Sequence, residues 1–354
     1  MAQRRYDESD VRVRPGRGSR PRSKQRPEHA DARTGLVTGV DRGRYAVLVA
    51  PADDEPERAV VAMKARELGR ERVVPGDRVD VVGDASGAAG TLARIVRIGD
   101  RRTVLRRTAD DTDPVERVIV ANADQLVVVT ALAEPEPRTR MIDRCVVAAY
   151  DAGMSVLLAL TKADLADPEP LTRLYEPLGV SVVVTSRDGV TIDGLDRLAA
   201  ALAGKVSVLV GHSGVGKSTL VNALVPGAGR ATGGVNDVTG RGRHTSTSAV
   251  ALRVPGDGPA TWVIDTPGVR SFGLAHVTVE HLLAAFTDLA EVADRCPRGC
   301  THASDAPDCE LDAWVAGAPD EPTQAARAAR VDSFRRLLVA RTGAAEPEEP
   351  VQRA

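Results

Sequence analysis

Residues Gly211-His212-Ser213-Gly214-Val215-Gly216-Lys217-Ser218 fit the spacing G-x-x-x-x-G-K-[ST], with Thr219 following. Glycines at these places let backbone N–H groups face phosphate oxygens. The lysine reaches the β- and γ-phosphates and the hydroxyl ligates Mg²⁺. Gly211 to Thr219 therefore read as a nucleotide-phosphate loop, with Lys217 in a catalytic role and Ser218 on the metal. Downstream, Asp265-Thr266-Pro267-Gly268 supplies Asp-x-x-Gly. Asp265 would hold Mg²⁺ through water, and the Gly268 N–H would sense the γ-phosphate. Between them, Gly242-Arg243-His244-Thr245-Ser246-Thr247 is placed to lend a threonine to Mg²⁺ when nucleotide is bound. Thr245 is the first choice and Thr247 the alternative. Val269 stands where many GTPases carry a water-orienting glutamine, so unaided hydrolysis is expected to be slow. His244 is the candidate substitute.

A second element sets the base. Thr161-Lys162-Ala163-Asp164 is similar to the guanine motif N-K-x-D, with Thr in place of Asn. A carboxylate here can accept from guanine N1–H and the exocyclic amine, a donor pair that adenine lacks. Ser186, at another strand end, is a further candidate for the base pocket. Four residues are a weak signal, and a surface loop carrying Lys and Asp is the plain alternative. The order of these parts is unusual, since the guanine motif precedes the phosphate loop and Asp265. Chain ends often lie close together, so joining old termini and opening the chain elsewhere preserves the site. The expectation is a circularly permuted GTPase.

The third constellation is Cys296, Cys300, His302 and Cys309, spaced C-x3-C-x-H-x6-C. Three thiolates and an imidazole make a closed tetrahedral set, which suits one structural Zn²⁺ per chain.

These groups need elements to position them. Val206–Val210 reads as a buried strand before the phosphate loop, Thr219–Leu224 as the helix after it, and Trp262–Asp265 as a strand. Val118–Val120, Asp124–Val129, a helix over Met141–Ala152 and a strand over Ser155–Leu160 complete an α/β pattern. Ahead of it, strands over 35–40, 44–49, 59–63, 74–82 and 93–98 predict a Greek-key β-barrel of the OB-fold type, which suits backbone recognition of folded RNA. Asp100–Arg117 reads as a linker. Val279–Ala293 reads as one helix and Thr323–Ala340 as another, whose Arg327, Arg330, Arg335 and Arg336 are either solvated or RNA-facing. The expected organisation is multidomain: a disordered basic tail over 1–33, the barrel over 34–107, the GTPase over 108–275, a zinc-binding helical domain over 276–343 and a disordered tail over 344–354.

Composition narrows the classes. Of 354 residues 43% are hydrophobic, enough for buried cores, and the net charge is only −2. The longest apolar runs are too short for a membrane span and the start lacks a secretory apolar region. Four cysteines are too few for a disulfide framework and suit a reducing cytoplasm.

Together these residues resemble the ribosome small-subunit-dependent GTPase A family (RsgA, also called YjeQ), over roughly residues 35–340. The resemblance rests on Ile119–Gln125, Met141-Ile142-Asp143-Arg144, Gly211–Thr219, Gly242–Thr245, Asp265–Val269 and the cysteine–histidine knuckle. It departs at Thr161 and in the knuckle, where C-x4-C-x-H-x5-C is expected. The resemblance implies a GTPase that binds the 30S ribosomal subunit and 16S rRNA as a monomer. It would assist late maturation of the subunit and hydrolyse GTP to GDP and phosphate there. Two alternatives are a metabolic P-loop enzyme and an RNA-binding module with GTP as a timer.

Overall fold

A computed structural model describes residues 29–51, 56–107, 116–189, 191–230, 249–266, 272–274 and 276–342. The chain starts with five short strands, β1 (Arg33–Asp41), β2 (Arg44–Val49), β3 (Arg58–Lys64), β4 (Arg78–Gly83) and β5 (Ala93–Ile98). Alternate residues turn inward, so Val37, Val47, Val60, Ala62, Val79, Val81 and Ile95 fill one small core. The strands close as β1-β2-β3-β5-β4, with β4 returning to β1. This is the expected barrel. β4 begins later than its hydrophobic pattern implied, because Val74–Asp77 is a turn: the Asp77 carboxylate accepts from the Val74 N–H at 2.8 Å. Arg33 and Thr34 pair with Val81 and Asp80, so the barrel also reaches into the stretch read as a tail.

The linker reading of Asp100–Arg117 needs correction. Strand β6 (Val104–Arg107) pairs antiparallel with β7 (Arg117–Ala121), and Leu105 and Val120 are buried in the neighbouring core. Val118–Val120 therefore lies in this ribbon and not in the main sheet. The ribbon's end is also the barrel's socket. The Ala121 N–H donates to the Pro75 carbonyl at 3.1 Å, and Asn122 Nδ2 donates to the Gly76 carbonyl at 2.9 Å. A Cβ on Gly76 would lie 1.9 Å from the Ala121 carbonyl oxygen, so only glycine fits there. Buried Asp77 holds Arg101 through two hydrogen bonds of 2.7 and 2.8 Å and finishes this joint.

The main sheet is parallel through β8 (Gln125–Ala131), β9 (Ser155–Thr161), β10 (Ser181–Val184), β13 (Val206–Val210) and β15 (Thr261–Asp265). A hairpin of β11 (Ser186–Asp188) and β12 (Thr191–Asp193) intervenes. The order is β10-β9-β8-β13-β15, followed by β14 (Val250–Val254), which is antiparallel. β14 was not anticipated, and its Val250 pairs with Gly39 of β1, so barrel and sheet form one continuous surface. On one face, Val127, Val129, Leu157, Leu209 and Val263 pack on α3 (Leu195–Leu202) and α4 (Lys217–Leu224). On the other, Leu126, Val128, Leu158, Leu160, Val208 and Ile264 share a core with α1 (Thr139–Asp151), α2 (Glu169–Tyr175) and the C-terminal helices.

Those helices are α5 (Val279–Ala284), α6 (Thr287–Ala293), α7 (Glu310–Ala316) and α8 (Glu321–Thr342). The single helix expected over Val279–Ala293 is broken at Ala285–Phe286, and the buried Phe286 ring sits edge-on between Tyr150 and Phe334. The arginines of α8 are neither simply solvated nor free for RNA. Arg330 holds Asp288 at 2.8 and 2.9 Å and covers the Phe286 ring. Arg335 holds Asp312 with two bonds of 2.8 Å, Arg336 reaches Asp143 at 3.2 Å, and Arg327 lies over Trp314.

Arg144 is 7% exposed and joins three segments: Nε donates to the Phe272 carbonyl at 2.9 Å, and Nη1 to the Ala340 carbonyl of α8 at 3.0 Å. Arg144→Ala would strand both carbonyls, and urea unfolding should show a loss of about 3 kcal/mol.

Candidate nucleotide and metal sites

Parallel strands deliver their C-terminal ends to one edge, which is where open α/β sheets bind ligands. Here β9 ends at Thr161, β13 runs into Gly211 and β15 ends at Asp265, with Thr161 opposite Ala131 and Leu209 opposite Asp265. Thr161–Asp164, the glycine-rich loop and Asp265 therefore converge although they are out of the usual sequence order.

The loop of Gly211–Ser218 leaves the buried strand and enters α4. Gly214 and Gly216 have φ of +83° and +90°, a conformation side chains rarely adopt. A Cβ on Gly211 would lie 2.4 Å from the Val129 carbonyl oxygen. Val215 is the loop's buried anchor, while Ser213 and Gly214 are exposed and His212 is half-buried. Lys217, Ser218 and Thr219 form the first turn of α4. The Lys217 ammonium pairs with Oδ1 of Asp265, a carboxylate only 3% exposed. Thr266 Oγ1 donates to the Leu209 carbonyl at 2.8 Å and ties the end of β15 to β13.

Thr161, expected beside the base, is buried and its hydroxyl donates to the Val215 carbonyl at 2.7 Å. It holds the phosphate loop from below, and Gly216 crosses above it. The Lys162 ammonium donates to the Glu134 carbonyl, on the loop after β8, and Pro135 of that loop faces Gly214. Asp164 is exposed at the rim and its Oδ1 accepts from the Arg187 N–H at 3.2 Å, next to half-buried Ser186 and close to Ala163, whose N–H donates to the Thr185 carbonyl. The aspartate and the serine thus lie near one another at this end of the sheet. His244, Thr245 and Thr247, together with Gly268 and Val269, lie outside the described residues.

Sequence reading missed Arg230, whose Nε lies 3.2 Å from Oδ2 of Asp265. Its position beyond α4 carries no motif; only the fold brings it to the carboxylate. Asp143 and Arg144 were noted as a signature without a role, and both prove to anchor α8.

The second site gathers Cys296, Cys300, His302 and Cys309, with ligand atoms all within 4.8 Å of one another. His302 Nδ1 faces the Cys296 and Cys309 sulfurs at 3.6 and 3.9 Å. Zinc with Zn–S of about 2.3 Å sets tetrahedral sulfurs roughly 3.8 Å apart, so the set fits. Backbone N–H groups of His302 and Glu310 donate to the Cys300 and Cys296 sulfurs at 3.4 and 3.3 Å. Burial, with Cys309 and Cys300 adjacent, pushes the Cys296 thiol up to about 11. Burial, and then Arg335, holds His302 below its ordinary value, which favours the neutral imidazole that a metal needs. Packed thiols resist ionising together unless a cation neutralises them, so the donor chemistry suits a divalent metal.

Thr161→Val keeps the shape and deletes the hydroxyl. It should leave the Val215 carbonyl unsatisfied and lower stability by about 2 kcal/mol in urea unfolding, and Thr161→Ser should restore most of the loss.

Comparison with known proteins agrees with this geometry. The family model described as RsgA GTPase matches residues 98–275. The small ribosomal subunit biogenesis GTPase RsgA of Ectopseudomonas mendocina is 41% identical over 228 residues, 62% of this chain and 62% of that protein. The protein of the same name from Chlorobaculum parvum is 34% identical over 291 residues, covering 80% of this chain and 91% of its own length. Among solved structures, YjeQ from Thermotoga maritima superposes with a TM-score of 0.61 at 24% identity, covering 89% of this chain and all of that one. YloQ, described as a circularly permuted GTPase, gives 0.58 at 20% identity, covering 91% of this chain and all of that one. The chain is therefore a member of the RsgA GTPase family.

Proposed function

We propose that the protein binds the small ribosomal subunit, assists its late maturation and hydrolyses GTP to GDP and phosphate there. The observation that carries this reading is the convergence of Thr161–Asp164, Gly211–Thr219 and Asp265 at one sheet edge. The relatives' name, small ribosomal subunit biogenesis GTPase, supports the partner.

In this reading the phosphate-loop N–H groups and Lys217 bind the phosphates, and Ser218, Thr245 and Asp265 would hold Mg²⁺, which would neutralise charge on the transferring phosphoryl group. The Lys217–Asp265 pair separates as the nucleotide enters: the lysine moves to the phosphates and the carboxylate is freed for the metal. Asp164 reads guanine, with Ser186 beside the base. Val269 offers no hydrogen bond to water, so His244 is the candidate water-orienting group and the subunit would bring it into place. The four-ligand knuckle holds one structural zinc, and the docking surface includes 16S rRNA. The protein acts as a monomer in the cytoplasm; among the described residues no helix is long and apolar enough to cross a membrane.

Turnover with and without purified 30S subunits tests the reading. Subunits should raise the rate by orders of magnitude, steeply salt-dependent docking should accompany it, and Lys217→Ala should abolish stimulated hydrolysis. Fast hydrolysis that subunits leave unchanged would contradict it. GTP should bind far better than ATP, and Asp164→Asn should shift preference towards xanthine nucleotides, measured by competition. Metal analysis should find one zinc per chain. Cys300→Ser should lose it and make the C-terminal helices protease-sensitive, because zinc binding is folding energy here.

A further inference from the structure

Arg230 follows α4 and its peptide is clamped by one side chain. Asn222 Nδ2 donates to the Arg230 carbonyl at 2.8 Å, and the Arg230 N–H donates to Asn222 Oδ1 at 2.9 Å. From that fixed backbone the guanidinium turns into the phosphate site. Its Nε lies 3.2 Å from Asp265 Oδ2, while Lys217 occupies Oδ1 of the same carboxylate. The side chain is 17% exposed, yet Nε and Nη2 are buried with no aligned hydrogen-bond acceptor among the described residues. Buried guanidinium donors without acceptors are costly, so an acceptor that arrives with a ligand would complete them. Among the described residues, two cations against one carboxylate also leave one positive charge in excess, which favours an anion.

Mg·GTP changes this balance. A metal ion approaching Asp265 and the guanidinium on the same carboxylate repel each other. The Asn222 clamp fixes the Arg230 backbone, so the side chain is what moves, and the phosphates are the anion within its reach. We propose that Arg230 is a phosphate-binding catalytic residue supplied in cis: it neutralises Asp265 in the empty site and turns onto the GTP phosphates when Mg·GTP binds. This rests on the guanine-nucleotide reading above. In the reaction, a water oxygen bonds to Pγ and the bond from Pγ to the β–γ bridging oxygen breaks. That oxygen keeps the electron pair as GDP leaves, and the water proton leaves with phosphate or solvent. Arg230 donates hydrogen bonds to the accumulating charge and transfers no proton.

The test uses the full chain with purified 30S subunits and the variants Arg230→Ala and Arg230→Lys. Single-turnover hydrolysis, fluorescent GDP and GTP affinity, and trapping of GDP·aluminium fluoride are read together, with thermal melting as the folding check. Arg230→Ala should lose roughly 100-fold or more in rate and fail to trap the fluoride complex, while GDP affinity stays nearly unchanged. Arg230→Lys keeps the charge and loses the fork, so it should recover GTP binding more than rate. If Arg230 only fills the empty site, Arg230→Ala will hydrolyse at the parent rate or bind Mg·GTP more tightly, and the proposal falls while the GTPase reading stands. A parent chain that binds no guanine nucleotide overturns both. Should Arg230→Ala melt early, Arg230→Lys decides by the same rate and trapping readouts, a parental rate counting against the proposal.

Discussion

Asp265 is a buried carboxylate shared by two cations, and the nucleotide site is organised around that charge. A carboxylate so enclosed is tolerable only when paired, and here the partners are Lys217 from the phosphate-loop helix and Arg230 from the segment beyond it. The backbone below is fixed by neutral contacts: Thr161 under Val215, Thr266 on Leu209, and Gly211 against Val129. Rigid strands thus carry a movable charge cluster. Such a site can exchange one set of counter-charges for another without moving the sheet, which is what binding a metal-bound polyanion requires.

Much of this was legible in the sequence because phosphate and metal chemistry fixes both residue type and spacing. Gly211–Ser218 and the cysteine–histidine knuckle each constrain a short stretch of backbone, so their geometry follows locally. Barrel and sheet strands were legible from alternation and from continuous apolar runs. What escaped was set by partners distant in sequence. β14 is short and half-buried, and only β15 and β1 make it a strand. β6 lies in a charged stretch with Leu105 as its single deeply buried side chain. The break before Phe286 comes from an aromatic packing site that Tyr150 and Phe334 create.

The α8 arginines show how a residue type misleads when its partner is unknown. Thr161, in the place of the motif's asparagine, reaches the phosphate loop's backbone through its hydroxyl. Arg330, Arg335 and Arg336 looked like a basic surface. Each instead has a carboxylate partner, and Arg327 stacks on an indole, so this positive charge is largely spent inside the protein. In a chain where arginine supplies most of the basic charge, an arginine stripe on a helix says little about nucleic acid until its partners are known.

The face of the sheet that carries α1 has a further consequence for how the molecule folds. Leu126, Leu158 and Ile264 belong to the same apolar core as Leu282, Cys309, Leu311 and Phe334, and Arg144 bolts α1 to α8. A segment cut at the bounds of the matching family model, residues 98–275, would leave that face of α1 open to water. Those bounds do not mark an autonomous folding unit. α8, the last helix among the described residues, follows in sequence everything it covers, so this hydrophobic layer is complete only once α8 has been made.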